Sequence, residues 1–195
     1  LNFQMKNIFN AAEIEAGQCF PLLSRFDISE LIEEIVVSFT HHAAKKNVSF
    51  TQELDRNSNL VSDREKIEMI LLNLVSNAVK FSNPDTEVII KTTNKEGALT
   101  ISVQDFGVGI EDQNLDQIYD RFKQLDSGTR KEFGGHGLGL SIVHSLVDIM
   151  DGTLQIASKV DQGTHFEISL PPKVLEVDEL DDEILFDSEG KGEIF

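Results

Sequence analysis

The sequence predicts an α+β fold: a two-layer α/β sandwich in which helices cover one face of a mixed, mostly antiparallel sheet. Amphipathic helical segments come first along the chain. Strand-like segments then follow in pairs joined by hairpin-type turns, and a further helical segment interrupts them. Hydrophobic residues make up 40% of the 195 residues, which is enough apolar material for a packed core.

The helical segments have recognisable ends. Residues 1–17 carry apolar side chains at alternating spacings of four and three, typical of a coiled-coil seam, and Gly17 ends the segment. A helix this short is unstable alone in water, so we interpret it as the end of a longer helix. Asp27 with Glu30, and Ser62 with Glu65, have the spacing of capping boxes that open two more helices.

Alternating apolar residues predict the strands. Two hairpin turns are expected, at residues 94–97 and 161–163, and the last helix, residues 138–150, lies between them after a glycine-rich stretch. The predicted strands span residues 48–54, 87–93, 99–104, 153–158 and 165–170.

Charge and composition exclude several classes of function. Thirty-four acidic against 17 basic residues give a net charge of −17, so we expect no nucleic-acid partner and no contact of this chain with a membrane. One cysteine, no apolar run of about 20 residues and no leader sequence predict a cytoplasmic location. Whether the parent protein is membrane-anchored stays open.

The last residues form an acidic tail. Residues 174–195 hold nine acids and one lysine, directly after Pro171-Pro172. We predict that the folded domain ends at Pro172 and that residues 173–195 are disordered or a linker. A docking tail is the alternative.

Two segments place polar groups where a nucleotide could bind. Asn73, Asn77 and Lys80 share one helix face, where an amide oxygen can ligate Mg²⁺ and a lysine can meet phosphate; an exposed polar stripe is the alternative. Asp105 ends a predicted strand just before two glycines, Gly107 and Gly109. A carboxylate there can accept a hydrogen bond from the exocyclic amine of adenine, although a plain turn would look the same.

Two further segments suit phosphate. Residues 121–131 contain four basic side chains, which could form a lid over phosphates or be ordinary solvated bases. Residues 134–140 are glycine-rich and run into a helix, so their backbone amides and the helix N-terminus could bind an anion. Their spacing matches neither a Rossmann fingerprint nor a Walker P-loop.

Taken in order, the four segments resemble the N, first glycine, F and second glycine boxes of sensor histidine kinases. The resemblance is to their catalytic and ATP-binding domain, with the Bergerat-type fold shared with gyrase B, Hsp90 and MutL. It covers about residues 19–172, and residues 1–18 resemble the end of the family's dimerisation helices. The matching residues are Asn73, Asn77 and Lys80; Asp105, Gly107 and Gly109; Arg121 and Phe122; and Gly135, Gly137 and Gly139.

The resemblance implies a role for each position. Asn77 is expected to ligate Mg²⁺, Lys80 and Arg121 to reach the phosphates of ATP, Asp105 to bind the adenine amine, and Asn73 to support the phosphate and metal site. The implied catalytic residues are therefore Asn73, Lys80 and Arg121. The implied nucleotide-binding residues are Asn77, Lys80, Asp105, Gly107, Gly109, Phe122, Gly135, Gly137, Leu138 and Gly139.

The same resemblance implies transfer of the γ-phosphoryl group to a histidine. ATP-hydrolysing relatives have a glutamate where this chain has Asn73, and an amide cannot accept the proton of an attacking water. None of His41, His42, His144 and His165 has the sequence context of an acceptor, so these are expected to be structural. His136 could stack on the nucleotide or face water.

The expected partners are ATP with Mg²⁺, the protein's own dimerisation and histidine phosphotransfer helices in a homodimer, and the receiver domain of a response regulator. Two alternatives remain. One is a hydrolysing ATPase of the same fold, and the other is a nucleotide-binding regulatory module without phosphotransfer.

Overall fold

A computed structural model describes residues 3–55, 59–118 and 137–175. A short 3₁₀ helix, Asp112–Gln117, follows the fifth strand. The helices are α1 (Phe3–Glu15), α2 (Ile28–Ala44), α3 (Arg64–Phe81) and α4 (Gly139–Ile149). The strands are β1 (Ser24–Asp27), β2 (Ser49–Glu53), β3 (Asn59–Ser62), β4 (Glu87–Lys95), β5 (Ala98–Asp105), β6 (Thr153–Lys159) and β7 (Gly163–Leu170).

Five strands form the main sheet in the order β2-β4-β5-β7-β6. β2 is parallel to β4, and every other neighbouring pair is antiparallel. The register places Val103 opposite both Ile90 and Phe166, so apolar side chains from three central strands share one face. The predicted mixed, mostly antiparallel sheet with helices on one side is confirmed.

The core lies between that face and the helices. α3 runs through its middle and contacts both α2 and α4. Its apolar face is buried, since Ile67 and Val75 are 0% exposed and Leu74 is 1% exposed. Replacing one such leucine by alanine typically costs about 2–5 kcal/mol, so the core holds α3 firmly in place. This matters because α3 also carries the row of polar residues.

The N-termini of α2 and α3 are capped by aspartates. Asp27 accepts a hydrogen bond from the backbone amide of Ser29 at 2.7 Å, as its sequence position predicts. The prediction that Ser62 caps α3 is wrong: the cap is Asp63, which accepts from the amide of Lys66 at 3.0 Å. Ser62 still belongs to β3, where it pairs with Ser24, so the helix starts one residue later.

β1 and β3 form a separate two-stranded antiparallel sheet that the sequence does not predict. Each strand has four residues, too few for alternation to stand out from the neighbouring helix pattern. By contrast, the turn between β4 and β5 is confirmed. Glu96 and Gly97 both have positive φ there, 53° and 85°, as a two-residue hairpin requires.

α1 is confirmed as a helix and packs against α4. Its end is also confirmed, because Gly17 follows it in a left-handed conformation with φ of 64°. Of its predicted apolar seam, Met5 and Ile8 are more than half exposed.

Within the ranges given above, no helix combines the length and apolar character needed to cross a membrane. The tail from residue 176 onward lies outside the described residues.

Candidate functional site

The polar row on α3 consists of Asn73, Asn77 and Lys80, and these three residues differ in burial. Asn73 is 2% exposed, whereas Asn77 and Lys80, one and two turns further along, are half-buried. The simple exposed stripe is therefore excluded for Asn73. The row instead runs from the protein interior, under α1 and α4, towards the C-terminal end of α3.

The side chain of Asn73 forms hydrogen bonds with its own helix and with α1. Its amide nitrogen donates to the backbone carbonyl of Met69 at 2.8 Å and to Oδ1 of Asn7 at 3.2 Å. Its Oδ1 accepts from Nδ2 of Asn7 at 2.9 Å. The two asparagines thus form a reciprocal amide pair between α1 and α3. Such buried pairs are costly to break because each amide would lose a partner.

Asn77 and Lys80 have side chains that could meet a ligand. The side chain of Asn77 is half-buried, and its amide oxygen is a hard ligand of the kind that Mg²⁺ prefers. The Lys80 ammonium lies over the ring of Phe81, 4.8 Å from its centroid. Partial burial lowers the pKa of Lys80 because it disfavours the charged form. A phosphate bound nearby would stabilise the charged ammonium and so oppose this lowering of the pKa.

Asp105 is a buried carboxylate at the end of β5. It is 5% exposed, and its Oδ1 accepts from the backbone amides of Gly107 at 2.9 Å and Thr164 at 3.3 Å. Burial raises its pKa from 3.8 to about 6, and the two amide hydrogen bonds oppose that rise. Both bonds use Oδ1, and among the described residues no hydrogen bond to Oδ2 is found, so this oxygen could accept from a ligand.

The loop after β5 fits closely against the end of α3. A Cβ at Gly107 would lie 2.0 Å from the carbonyl oxygen of Phe81, so only glycine fits there. Gly107 pairs with Ser82, and the amide of Val108 donates to the Phe81 carbonyl at 3.4 Å. These contacts join the strand that carries Asp105 to the helix that carries Lys80.

The turn between β6 and β7 supports the same loop from its other side. Gly109 has a φ of 66°, and a Cβ on it would lie 2.0 Å from the carbonyl oxygen of Lys159. The amide of Asp161 donates to the Val108 carbonyl at 2.9 Å, and the amide of Ile110 donates to Oγ of Ser158 at 2.8 Å. Both predicted glycines of this segment therefore allow close approach of two backbones.

The start of α4 approaches Asn73. Gly137 has a φ of 68°, and Leu138 is 4% exposed, so its side chain packs into the core. Gly139 begins α4, and a Cβ there would lie 2.8 Å from Oδ1 of Asn73. Glycine at this position therefore lets α4 pack directly on the polar row. The structure thus brings Gly139 and Asn73 together.

The family description "Histidine kinase-, DNA gyrase B-, and HSP90-like ATPase" matches residues 62–174, which is more than half of the chain. The chain belongs to this ATPase family. Asn73, Asn77, Lys80, Asp105 and Thr164 all lie within the matched range, whereas Asn7 lies before it.

The curated relatives of this ATPase domain include sensor kinases. The circadian input-output histidine kinase CikA of Synechococcus elongatus is 30% identical over 88% of this chain and 23% of its own length. The autoinducer 2 sensor kinase/phosphatase LuxQ of Vibrio cholerae is 35% identical over 88% of this chain and 21% of its own length. The chain therefore spans less than a quarter of either relative.

Solved structures agree with this assignment. The catalytic domain of histidine kinase ThkA, in a nucleotide-free form, superposes with a TM-score of 0.67 at 27% identity; the match covers 77% of this chain and 96% of that one. Full-length ShkA in complex with AMPPNP superposes with a TM-score of 0.77 at 25% identity, covering 88% of this chain and 36% of that one. The ATPase domain is thus of the sensor histidine kinase type.

Several predicted site residues lie outside the described residues: Arg121, Phe122, Gly135 and His136. Their roles stay predictions. Among the described histidines, His144 lies on α4 with Nδ1 3.0 Å from a carboxylate oxygen of Asp148. In the part of the chain that the structure describes, no group of three or more histidine, cysteine or acidic residues could hold a metal.

Sequence reasoning missed two contributors to the site. Thr164 is 6% exposed and donates its amide to Asp105, while its hydroxyl lies 2.9 Å from that of Ser158. The segment Gly163-Thr164-x-Phe166 resembles the family, but no spacing along the chain links it to Asp105. Lys46, which lies just after α2, contacts the end of α3, again without a signal in the sequence.

Proposed function

We propose that this chain is the catalytic domain of a two-component sensor histidine kinase, which transfers the γ-phosphoryl group of ATP to a histidine on dimerisation helices. The observation that carries this proposal is the burial and hydrogen bonding of the Asp105 carboxylate. This carboxylate is buried and fixed through one oxygen, and the loop behind it is tied to the helix that bears Asn77 and Lys80. A group that recognises adenine is therefore connected to groups that suit phosphate.

Adenine recognition follows from the chemistry of Oδ2. The exocyclic amine of adenine donates hydrogen bonds, whereas guanine has a carbonyl oxygen at the equivalent position. A buried carboxylate facing that oxygen would place two acceptors together without a proton between them. Selectivity between the two nucleotides should be strong, because binding of GTP would leave buried polar groups without hydrogen-bond partners. Asp105 thus favours ATP over GTP.

At the other end of the nucleotide, Lys80 would bind phosphate oxygens as a point charge, and Asn77 would hold Mg²⁺ through its amide oxygen. The bound ion would supply positive charge between the phosphate groups. Arg121 is proposed to stabilise the transferred group. In the reaction, a histidine ring nitrogen would attack the γ-phosphorus while the bond to the β,γ-bridging oxygen breaks and ADP leaves. The phosphorylated imidazole would then release its proton to solvent.

Transfer, rather than hydrolysis, is favoured by Asn73. Its amide cannot take a proton from water at neutral pH, and its oxygen already accepts from Asn7. The site therefore lacks a general base at that position. We propose that Asn73 orders the α3 side of the site and contributes through position rather than proton transfer.

The proposed arrangement of domains follows the same logic. Residues 1–18 would be the end of a dimerisation helix, residues 19–172 the ATP-binding domain, and residues 173–195 an acidic tail or linker. In the complete protein the partners would be the homodimer's phosphotransfer helices and the receiver domain of a response regulator. The location would be cytoplasmic.

The test compares this chain with a longer version that includes the parent's dimerisation helices, using radiolabelled ATP. The longer protein should acquire label on a histidine of the added segment, and this label should be lost in acid. The isolated chain should bind ATP without labelling itself and without steady phosphate release. Tethering should outperform addition in trans because it raises the effective concentration of the acceptor.

Three results would contradict the proposal. Acid-labile label on His41 or His42 of the isolated chain would place the acceptor in this domain. Steady release of phosphate would indicate a hydrolysing ATPase. ATP binding by the longer protein without any labelling would indicate a regulatory module.

A further inference from the structure

Lys46 lies against the C-terminal end of α3, although it follows α2 in sequence. Its ammonium donates hydrogen bonds to three backbone carbonyls, those of Val79 at 3.4 Å, Ser82 at 3.2 Å, and Lys80. The backbone carbonyl of Lys46 also accepts from the amide of Asp85 at 3.1 Å. The residue is thus attached to α3 and to the segment directly after it.

The Lys46 ammonium supplies the hydrogen-bond donors and the positive charge that favour a helix C-terminus. The last carbonyls of a helix have no intrahelical partner, and the helix C-terminus carries partial negative charge. A lysine ammonium has three donors and a positive charge, so it matches both features. Burial lowers the pKa of Lys46 because it disfavours the charged form, and the three carbonyls offset that cost.

The turn that Lys46 holds is the one that connects the two halves of the site. It contains Lys80, whose side chain is proposed to bind phosphate. It also contains Phe81, whose carbonyl accepts from the amide of Val108. The following residue, Ser82, pairs with Gly107, which donates to Asp105. Displacement of this turn would move the phosphate side and the adenine side together.

We propose that Lys46 is a positioning residue for ATP binding. It fixes the terminal turn of α3, and this turn keeps Lys80 and the loop that follows Asp105 in a fixed position relative to each other. This inference rests on the proposed function for the role of Lys80, whereas the attachment of the turn to Lys46 stands on its own. Lys46 acts through α3 carbonyls, so it need not contact the nucleotide.

The test uses neighbouring lysines as matched variants. Lys46→Met keeps a chain of similar length but removes the donors and the charge. Lys45→Met removes the same charge one residue earlier, where the side chain is exposed. Lys46→Arg keeps both charge and donors. ATP affinity is measured by calorimetry well below the melting temperature of each variant.

Lys46→Met should weaken ATP binding about tenfold, while Lys45→Met should leave it unchanged and Lys46→Arg should restore most of it. In a Lys80→Ala background the effect of Lys46→Met should shrink, because the phosphate contact that it positions is gone. Hydrogen exchange should show faster exchange of the Ser82 and Val108 amides in Lys46→Met.

The outcomes separate the two proposals. ATP affinity unchanged in a folded Lys46→Met variant would overturn the positioning role, as would equal losses from both lysine variants, which would indicate long-range charge only. Unaltered exchange at Ser82 and Val108 would show that Lys46 does not hold the turn. A wild-type chain that binds no ATP would contradict the proposed function, and the exchange result would then still decide whether the turn is held.

Discussion

Replacing Asp105 by asparagine separates its role in binding from its role in folding. Asparagine has nearly the same shape, and its amide oxygen can keep the hydrogen bonds from Gly107 and Thr164. Its NH₂ group then takes the place of Oδ2 and would face the adenine amine, donor against donor. We expect ATP binding to weaken by about 2–3 kcal/mol, or about 30- to 150-fold.

The same substitution should make the protein more stable at neutral pH. Burial raises the pKa of Asp105 from 3.8 to about 6, which corresponds to about 3 kcal/mol of cost for keeping the carboxylate charged in the folded state. Because the folded pKa lies above the unfolded value, this cost is complete above pH 6. It is relieved as the pH falls from about 6 to about 4, so the stability advantage of Asp105→Asn should vanish over that range.

Two measurements check this reasoning. Urea denaturation of both proteins at pH 7.5 and pH 4.5 gives the stability difference, and calorimetry with ATP and GTP gives affinity and selectivity. The wild-type chain should also bind ATP less tightly below about pH 6, where the carboxyl group takes up a proton. Equal affinities for ATP and GTP, or a variant that loses stability at pH 7.5 but keeps its ATP affinity, would refute the assignment.

Three further predictions follow from single contacts. Asn77→Ala should abolish the Mg²⁺ dependence of ATP binding with an unchanged melting temperature, and unaltered dependence would mean that the metal is held elsewhere. Gly107→Ala should cost more than about 2 kcal/mol in denaturation and also lower ATP affinity, because its Cβ would lie 2.0 Å from the Phe81 carbonyl oxygen. Asn7→Ala should cost about 1–3 kcal/mol by leaving the buried amide of Asn73 without its partner, whereas the exposed neighbour Lys6→Ala should cost almost nothing.

The helices and the main sheet could be predicted because their signals are local. The capping aspartate Asp27, the helix-ending Gly17 and the hairpin turn at Glu96-Gly97 each act within a few residues, and all three are confirmed. The cap of α3 could not be assigned correctly, since Ser62 and Asp63 are both good caps. Pairing of Ser62 with Ser24 in β1, 38 positions earlier, decides between them.

By itself the sequence determined the order of the four polar and glycine-rich segments, and hence the family and the residue types available for binding a nucleotide. Only the tertiary structure decided how these residues are buried and hydrogen-bonded. Asn73 is buried where Asn7 and Gly139 pack against it. Burial raises the pKa of Asp105 to about 6, although the hydrogen bonds from Gly107 and Thr164 oppose that rise. The physical reason is that burial and hydrogen bonding depend on residues brought together from distant parts of the chain, and no spacing along the sequence records those contacts.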